Sequence, residues 1–182
     1  DLMRTVGDIV RQYKKAIKEF PDYHGRIYVN IDDTGLGGGV TDRLREVKRE
    51  DKLNRLYVVP INAAEKIETD TKAGKDAAEH YNNLTTHMWA VLKDLMENQE
   101  IEIEEDSETF AQLSSRKYFL ASNGKLELES KKEMKKRGLD SPDRGDAAAL
   151  SVYLGKIKKY TGSAPNQANT AGLGKSSYWK NR

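Results

Sequence analysis

The sequence has no cysteine. Disulfides, thiolate metal centres and cysteine nucleophiles are therefore excluded together, as a chain kept in a reducing interior would allow. Long apolar runs are missing too. Nothing approaches the roughly 20 residues that cross a bilayer, and no charged-then-apolar leader opens the chain. No membrane association is expected. Charge of one sign is also lacking: 31 Lys and Arg stand against 29 Asp and Glu, for a net +2. Any hold on nucleic acid must then come from local basic clusters rather than a polycationic surface.

What is present is 182 residues, 37% hydrophobic and 33% charged. This length is expected to make one polar globular domain with a real core. The chain opens at Asp1 in the manner of a mid-helix start, which leads us to expect a piece of a longer protein. Leu2, Val6, Ile9, Val10, Tyr13, Ile17 and Phe20 recur at helical steps and predict an amphipathic helix, stopped before Pro21. Arg26 to Ile31 is a β-branched and aromatic run, read as a buried strand. It ends in Asp32 and Asp33, followed by Gly35-Leu36-Gly37-Gly38-Gly39 and a helix from about Val40 to Glu50. Leu56 to Ile61 predicts a second strand, parallel to the first.

From Asn62 to Glu79 the polar composition and Gly74 read as a surface loop. A helix is expected from about His80 to Glu97, with Tyr81, Leu84, Met88, Val91, Leu92 and Leu95 facing inward. Ile101 to Ile103 suggests a brief edge strand, and Glu108 to Leu113 a short helix. Lys117 to Leu120 and Lys125 to Glu129 flank an Asn123-Gly124 turn and read as a hairpin. Lys131 to Arg137 is a basic helical segment closed by Gly138. Ser141-Pro142-Asp143 predicts the start of a last helix, with Ser141 as N-cap and Pro142 at its first position, reaching Ile157. The Gly, Ser and Asn composition after Tyr160 reads as a flexible tail, residues 161–182.

The acids carry the chemistry. Asp32 ends an otherwise apolar strand, where a carboxylate is costly to desolvate without a cation or donors. Neither a cap nor a turn accounts for it well, whereas Asp33 serves equally as a ligand or as a turn residue. Asp143 and Asp146, three apart in a first helical turn, share a face and can point at one ion. Asp143 alone also suits the helix macrodipole. An all-oxygen set favours Mg²⁺ or Mn²⁺, and two such ions about 4 Å apart can drive phosphodiester cleavage. Lys131, Lys135, Lys136 and Arg137 could bind flanking phosphates or form a solvated face. The glycine run makes a weak phosphate cradle, because Val40 stands where a dinucleotide fingerprint needs glycine. Gly174-Lys175-Ser176 fails as a P-loop because position 169 is Asn169. His24, His80 and His87 show no ligand spacing.

Set together, several of these stretches resemble one family. Ile31 to Leu44 is similar to the acid-plus-glycine motif in the nuclease domain of tailed-phage large terminase subunits. Tyr81, Asn83, Met88 and Trp89 resemble that family's aromatic–Asn–Met–Trp helix. Glu129-Ser130-Lys131, Met134 to Gly138, and Ser141-Pro142-Asp143 with Asp146-Ala147 resemble its closing signature. The resemblance covers roughly Val6 to Leu154. It implies an α/β, ribonuclease H-like fold over residues 1–160, with a mixed central sheet flanked by helices and a β-hairpin insertion. It implies a two-ion endonuclease that cuts double-stranded concatemeric DNA during genome packaging in the host cytoplasm. An ATPase motor domain, a small terminase subunit and a capsid portal would be partners. By position, Asp32 and Asp146 would be catalytic acids and Asp143 a supporting ligand. The family's first acid lies on an opening strand that has no counterpart before Leu2. A catalytically incomplete DNA clamp is therefore the first rival reading, and a nucleotide-binding domain the second.

Overall fold

The computed structural model describes residues 1–35, 37–103 and 105–153. These fall into two compact units, Asp1–Ala63 and the described residues 64–153. The expected extension of the last helix to Ile157 and the expected tail lie outside the described residues.

In the first unit, α1 (Leu2–Glu19) begins at Asp1, whose carboxylate accepts the Met3 amide at 3.1 Å. Strands β1 (Ile27–Asp32) and β2 (Leu56–Ile61) pair in parallel, with Ile27 opposite Leu56 and Asp32 opposite Ile61. Helix α2 (Gly37–Glu50) connects them. Alternation along β1 sends Ile27, Val29 and Ile31 to one face. There they pack with Val6, Val10 and Tyr13 of α1, Leu44 of α2, and Leu53 and Leu56. Helix α2 starts three residues earlier than the apolar pattern suggested, because the glycines enter the helix. A Cβ on Gly37 would come within 1.7 Å of the Asp32 carbonyl oxygen. Glycine thus lets α2 start directly against the acid-bearing strand end.

The second unit holds α3 (Lys72–His80), α4 (Leu84–Glu97), α5 (Ser107–Ser115), β3 (Tyr118–Leu120), β4 (Leu126–Leu128), α6 (Lys131–Lys136) and α7 (Asp143–Ser151). Helix α3 corrects the expected loop. Thr71 caps it by accepting the Gly74 amide at 3.0 Å, and Ala77 is buried. The isolated glycine that suggested a breaker is tolerated in a short, capped helix. The helix expected from His80 instead starts at Leu84. Asn83 interrupts it as an N-cap, accepting the Thr86 amide at 2.8 Å. Leu84, Met88, Trp89 and Leu92 form the buried face of α4, which packs on α7 and β4.

Ile101 to Ile103 is not a strand. Strands β3 and β4 pair antiparallel as expected, closed by a turn in which the Gly124 amide donates to the Ala121 carbonyl at 2.9 Å. Parallel and antiparallel pairing thus occur in separate two-stranded sheets among the described residues, rather than in one mixed sheet. Ser130 and Glu133 form a reciprocal capping box at the start of α6, and Gly138, at φ 77°, terminates the segment. Ser141 does not cap α7. Pro142 occupies the cap position with ψ 55°, and the Ser141 hydroxyl donates to the Asp143 carboxylate instead, at 2.5 Å. Among the described residues no helix is long and apolar enough to cross a membrane.

Candidate active site

The predicted acids fall into two groups, one in each unit. Asp32 is exposed at the C-terminal end of β1. Its Oδ1 accepts the Thr34 hydroxyl at 2.5 Å and the Thr34 amide at 3.1 Å. This is an Asx turn, and it corrects the expectation that no turn would account for the residue. The turn orients the carboxylate, and no further hydrogen bond engages its second oxygen among the described residues. Thr34 also faces Asn62, just past β2, at 3.4 Å. Asp33 turns the other way. Its Oδ1 accepts the buried Thr41 hydroxyl of α2 at 2.9 Å, and its amide donates to the Ile61 carbonyl at 2.9 Å. Asp33 therefore ties the first turn of α2 to the strands.

In the second unit Asp143 and Asp146 do converge on one positive charge, the ammonium of Lys131. Lys131 Nζ lies 3.0 Å from Asp143 Oδ1 and 2.9 Å from Asp146 Oδ2. The Ser141 hydroxyl and the Lys131 ammonium hold the Asp143 carboxyl below its ordinary range. Asp146 is more heavily supported. Its Oδ1 accepts from the Trp89 indole at 2.8 Å and from Arg116 at 2.7 Å. The Arg116 side chain is only 5% exposed and lies 4.8 Å over the Trp89 ring. Its Nε donates to the Glu129 carbonyl at 3.0 Å. Burial pulls this guanidinium downward, and Asp146 and then Glu129 push it back. Gly145 allows the assembly to close, since a Cβ there would lie 2.8 Å from the Trp89 ring.

The basic segment divides in two. Lys131 is engaged by both acids, and Arg137 by the buried Glu129 at 2.7 and 2.5 Å. Lys135 and Lys136 are exposed, with no ion pair among the described residues. Nothing in the sequence pointed to Arg116, a single arginine ahead of the hairpin whose role depends on contacts with residues far along the chain.

Among the described residues no three His, Asp or Glu side chains gather as a metal cluster. The donor chemistry nevertheless fits a hard divalent cation. Two carboxylates, Asp143 and Asp146, already flank a single positive charge within one unit, and hard divalent cations take oxygen donors of this kind.

The fold is that of an α/β domain similar to the nuclease domains of phage large terminase subunits. The similar solved structures are of the nuclease domain of the large terminase subunit gp2 of bacterial virus Sf6. A mutant of it with manganese matches at a TM-score of 0.56 and 18% identity, over 78% of this chain and 70% of that one. The same mutant with manganese and β-thujaplicinol matches at 0.55 and 18%, over 69% of this chain. This chain spans 64% of the length of that second structure. No family model matches the sequence, and no curated protein matches it.

Proposed function

We propose that this chain is a divalent-metal-dependent endonuclease domain that cuts double-stranded viral DNA during genome packaging. The observation that carries the reading is the convergence of Asp143 and Asp146 on one cation, in a domain with the fold of terminase nucleases. Asp32, Asp146 and Asp143 are the proposed ligands, and Asp33 holds the glycine turn beside Asp32. Mg²⁺ or Mn²⁺, when bound, would polarise the scissile phosphate and activate water in two-ion fashion. Trp89 and Arg116 orient Asp146 by donating to its Oδ1. Lys131 neutralises the two acids, which would hold a divalent ion in its place. Lys135 and Lys136, exposed and in no ion pair among the described residues, grip backbone phosphates. In the intact protein an ATPase motor, a small terminase subunit and a capsid portal would be the partners, in the host cytoplasm.

The test is nicking of supercoiled plasmid with Mn²⁺. Wild type nicks, and Asp32→Asn stays folded by circular dichroism but does not. Nicking that survives in Asp32→Asn refutes the assignment. The Lys131 ammonium seated between the acids favours one second reading, a DNA clamp without catalysis. Metal-independent DNA retention with no nicking by wild type would establish that reading instead.

A further inference from the structure

Helix α7 begins without a side-chain cap of its own. The first amides of a helix have no partner within it, and the neighbours that would supply one to α7 are otherwise engaged. Pro142 at the cap position makes no side-chain hydrogen bond, and the Ser141 hydroxyl donates to Asp143 at 2.5 Å. The acceptor comes instead from α5. Gln112 Oε1 accepts the Arg144 amide at 2.8 Å and the Gly145 amide at 3.0 Å. Its Nε2 donates to Glu108 Oε1 at 3.3 Å, which turns the amide oxygen toward α7. The Arg144 side chain reinforces the contact, reaching Asp106 and Glu108 at the start of α5 at 2.8 Å each. Exposed ion pairs of this kind contribute little, so the two Gln112 bonds are the chief tie between α5 and the first turn of α7.

The two capped amides stand between the candidate ligands, Asp143 immediately before them and Asp146 immediately after. Both carboxylates meet Lys131, and Asp146 Oδ1 also accepts from Trp89 at 2.8 Å and Arg116 at 2.7 Å. A helix that slips by one residue moves about 1.5 Å along its axis and turns by about 100°, more than bonds of this length tolerate. Gly145 fixes the other side of the same turn. A Cβ there would lie 2.8 Å from the Trp89 ring and 3.6 Å from Leu113, the neighbour of Gln112. The first turn of α7 is thus held between Trp89 of α4 and Gln112 of α5. We propose that Gln112 is a positioning residue: it caps α7 from another helix and sets the direction in which Asp143 and Asp146 present their carboxylates to a divalent cation. The inference rests on the nuclease reading of the same site.

The test compares two variants of the full chain, both folded by circular dichroism. Gln112→Met keeps the length of the side chain but not the acceptor, and Gln112→Glu keeps an acceptor oxygen. Two signals are read by NMR without metal: hydrogen exchange of the Arg144 and Gly145 amides, and the Trp89 indole N–H resonance, which reports the bond to Asp146. In Gln112→Met both amides should exchange about tenfold faster, as the loss of a cap implies, and the indole resonance should move. Gln112→Glu should return both to their wild-type values. The Mn²⁺ concentration that gives half-maximal nicking should rise about tenfold in Gln112→Met and recover in Gln112→Glu. A Met variant with lowered Tm but an unmoved indole resonance and Mn²⁺ requirement overturns the proposal, because Gln112 then only stabilises the fold. A Glu variant that behaves as the Met variant overturns it too. Wild type that does not nick counts against the nuclease reading, while the metal-free signals still decide whether Gln112 positions Asp146.

Discussion

Arg116 and Asp146 should be energetically coupled to a degree that exposed ion pairs never reach. The Arg116 side chain is 5% exposed, Asp146 28%, and they meet at 2.7 Å. Replacing Arg116 by Ala removes a charge-assisted hydrogen bond worth about 1.5–3 kcal/mol. It also removes a partly desolvated cation–π contact over Trp89 worth about 1 kcal/mol. Asp146 keeps Trp89 and Lys131, so the loss stays below the roughly 3–5 kcal/mol seen when a buried charge is orphaned. The expected cost is about 3 kcal/mol, a fall in Tm of roughly 6–12 °C for a chain of this size. A double-mutant cycle with Asp146→Asn, read by urea denaturation, should give a coupling of about 1.5 kcal/mol. A coupling below about 0.5 kcal/mol would show that Arg116 merely packs on Trp89, and its role in positioning Asp146 would be lost.

Acid should weaken the fold through His87. Its ring is stacked on Tyr81 at 5.3 Å and edge-on to Tyr153 at 5.9 Å, and burial pushes its pKa from 6.5 down to about 4. The unfolded chain takes the proton first, so stability is complete above about 6.5 and falls by about 3 kcal/mol as pH drops to about 4. His87→Phe should flatten that part of the urea-measured profile, and an unaltered profile would clear His87 of the effect. Gly37→Ala forces a Cβ to within 1.7 Å of the Asp32 carbonyl. It should destabilise by at least about 1–3 kcal/mol, and unchanged thermal denaturation would refute the packing argument. Lys135→Ala with Lys136→Ala should weaken duplex binding evenly across sequences and lower the salt slope by about two. An unmoved slope would leave those lysines as a solvated face.

The elements that follow from periodicity were legible in the chain. The α1 stripe, the β1 and β2 runs, the Asn123-Gly124 hairpin and the Gly138 stop depend on residues within a few positions of one another. Three of the misreadings lie at helix caps. Thr71 starts a helix within an apparent loop, Asn83 divides what looked like one helix, and Pro142 displaces Ser141 from the cap. Each depends on which competing local hydrogen bond prevails, and composition does not settle that choice.

By itself, then, the sequence determined an α/β chain without thiols, with a strand ending in acids beside a glycine turn and a helix opening on two more. It also placed both pairs at element ends, since carboxylates cannot stay inside apolar runs. Only the tertiary structure decided what each acid does. It put Asp32 in a threonine turn and tied Asp33 to Thr41. It surrounded Asp146 with Trp89, Arg116 and Lys131, residues drawn from α4, the hairpin approach and α6. Hydrogen bonds of under 3 Å between groups 57 and 30 residues apart are set by packing, and no local pattern encodes them.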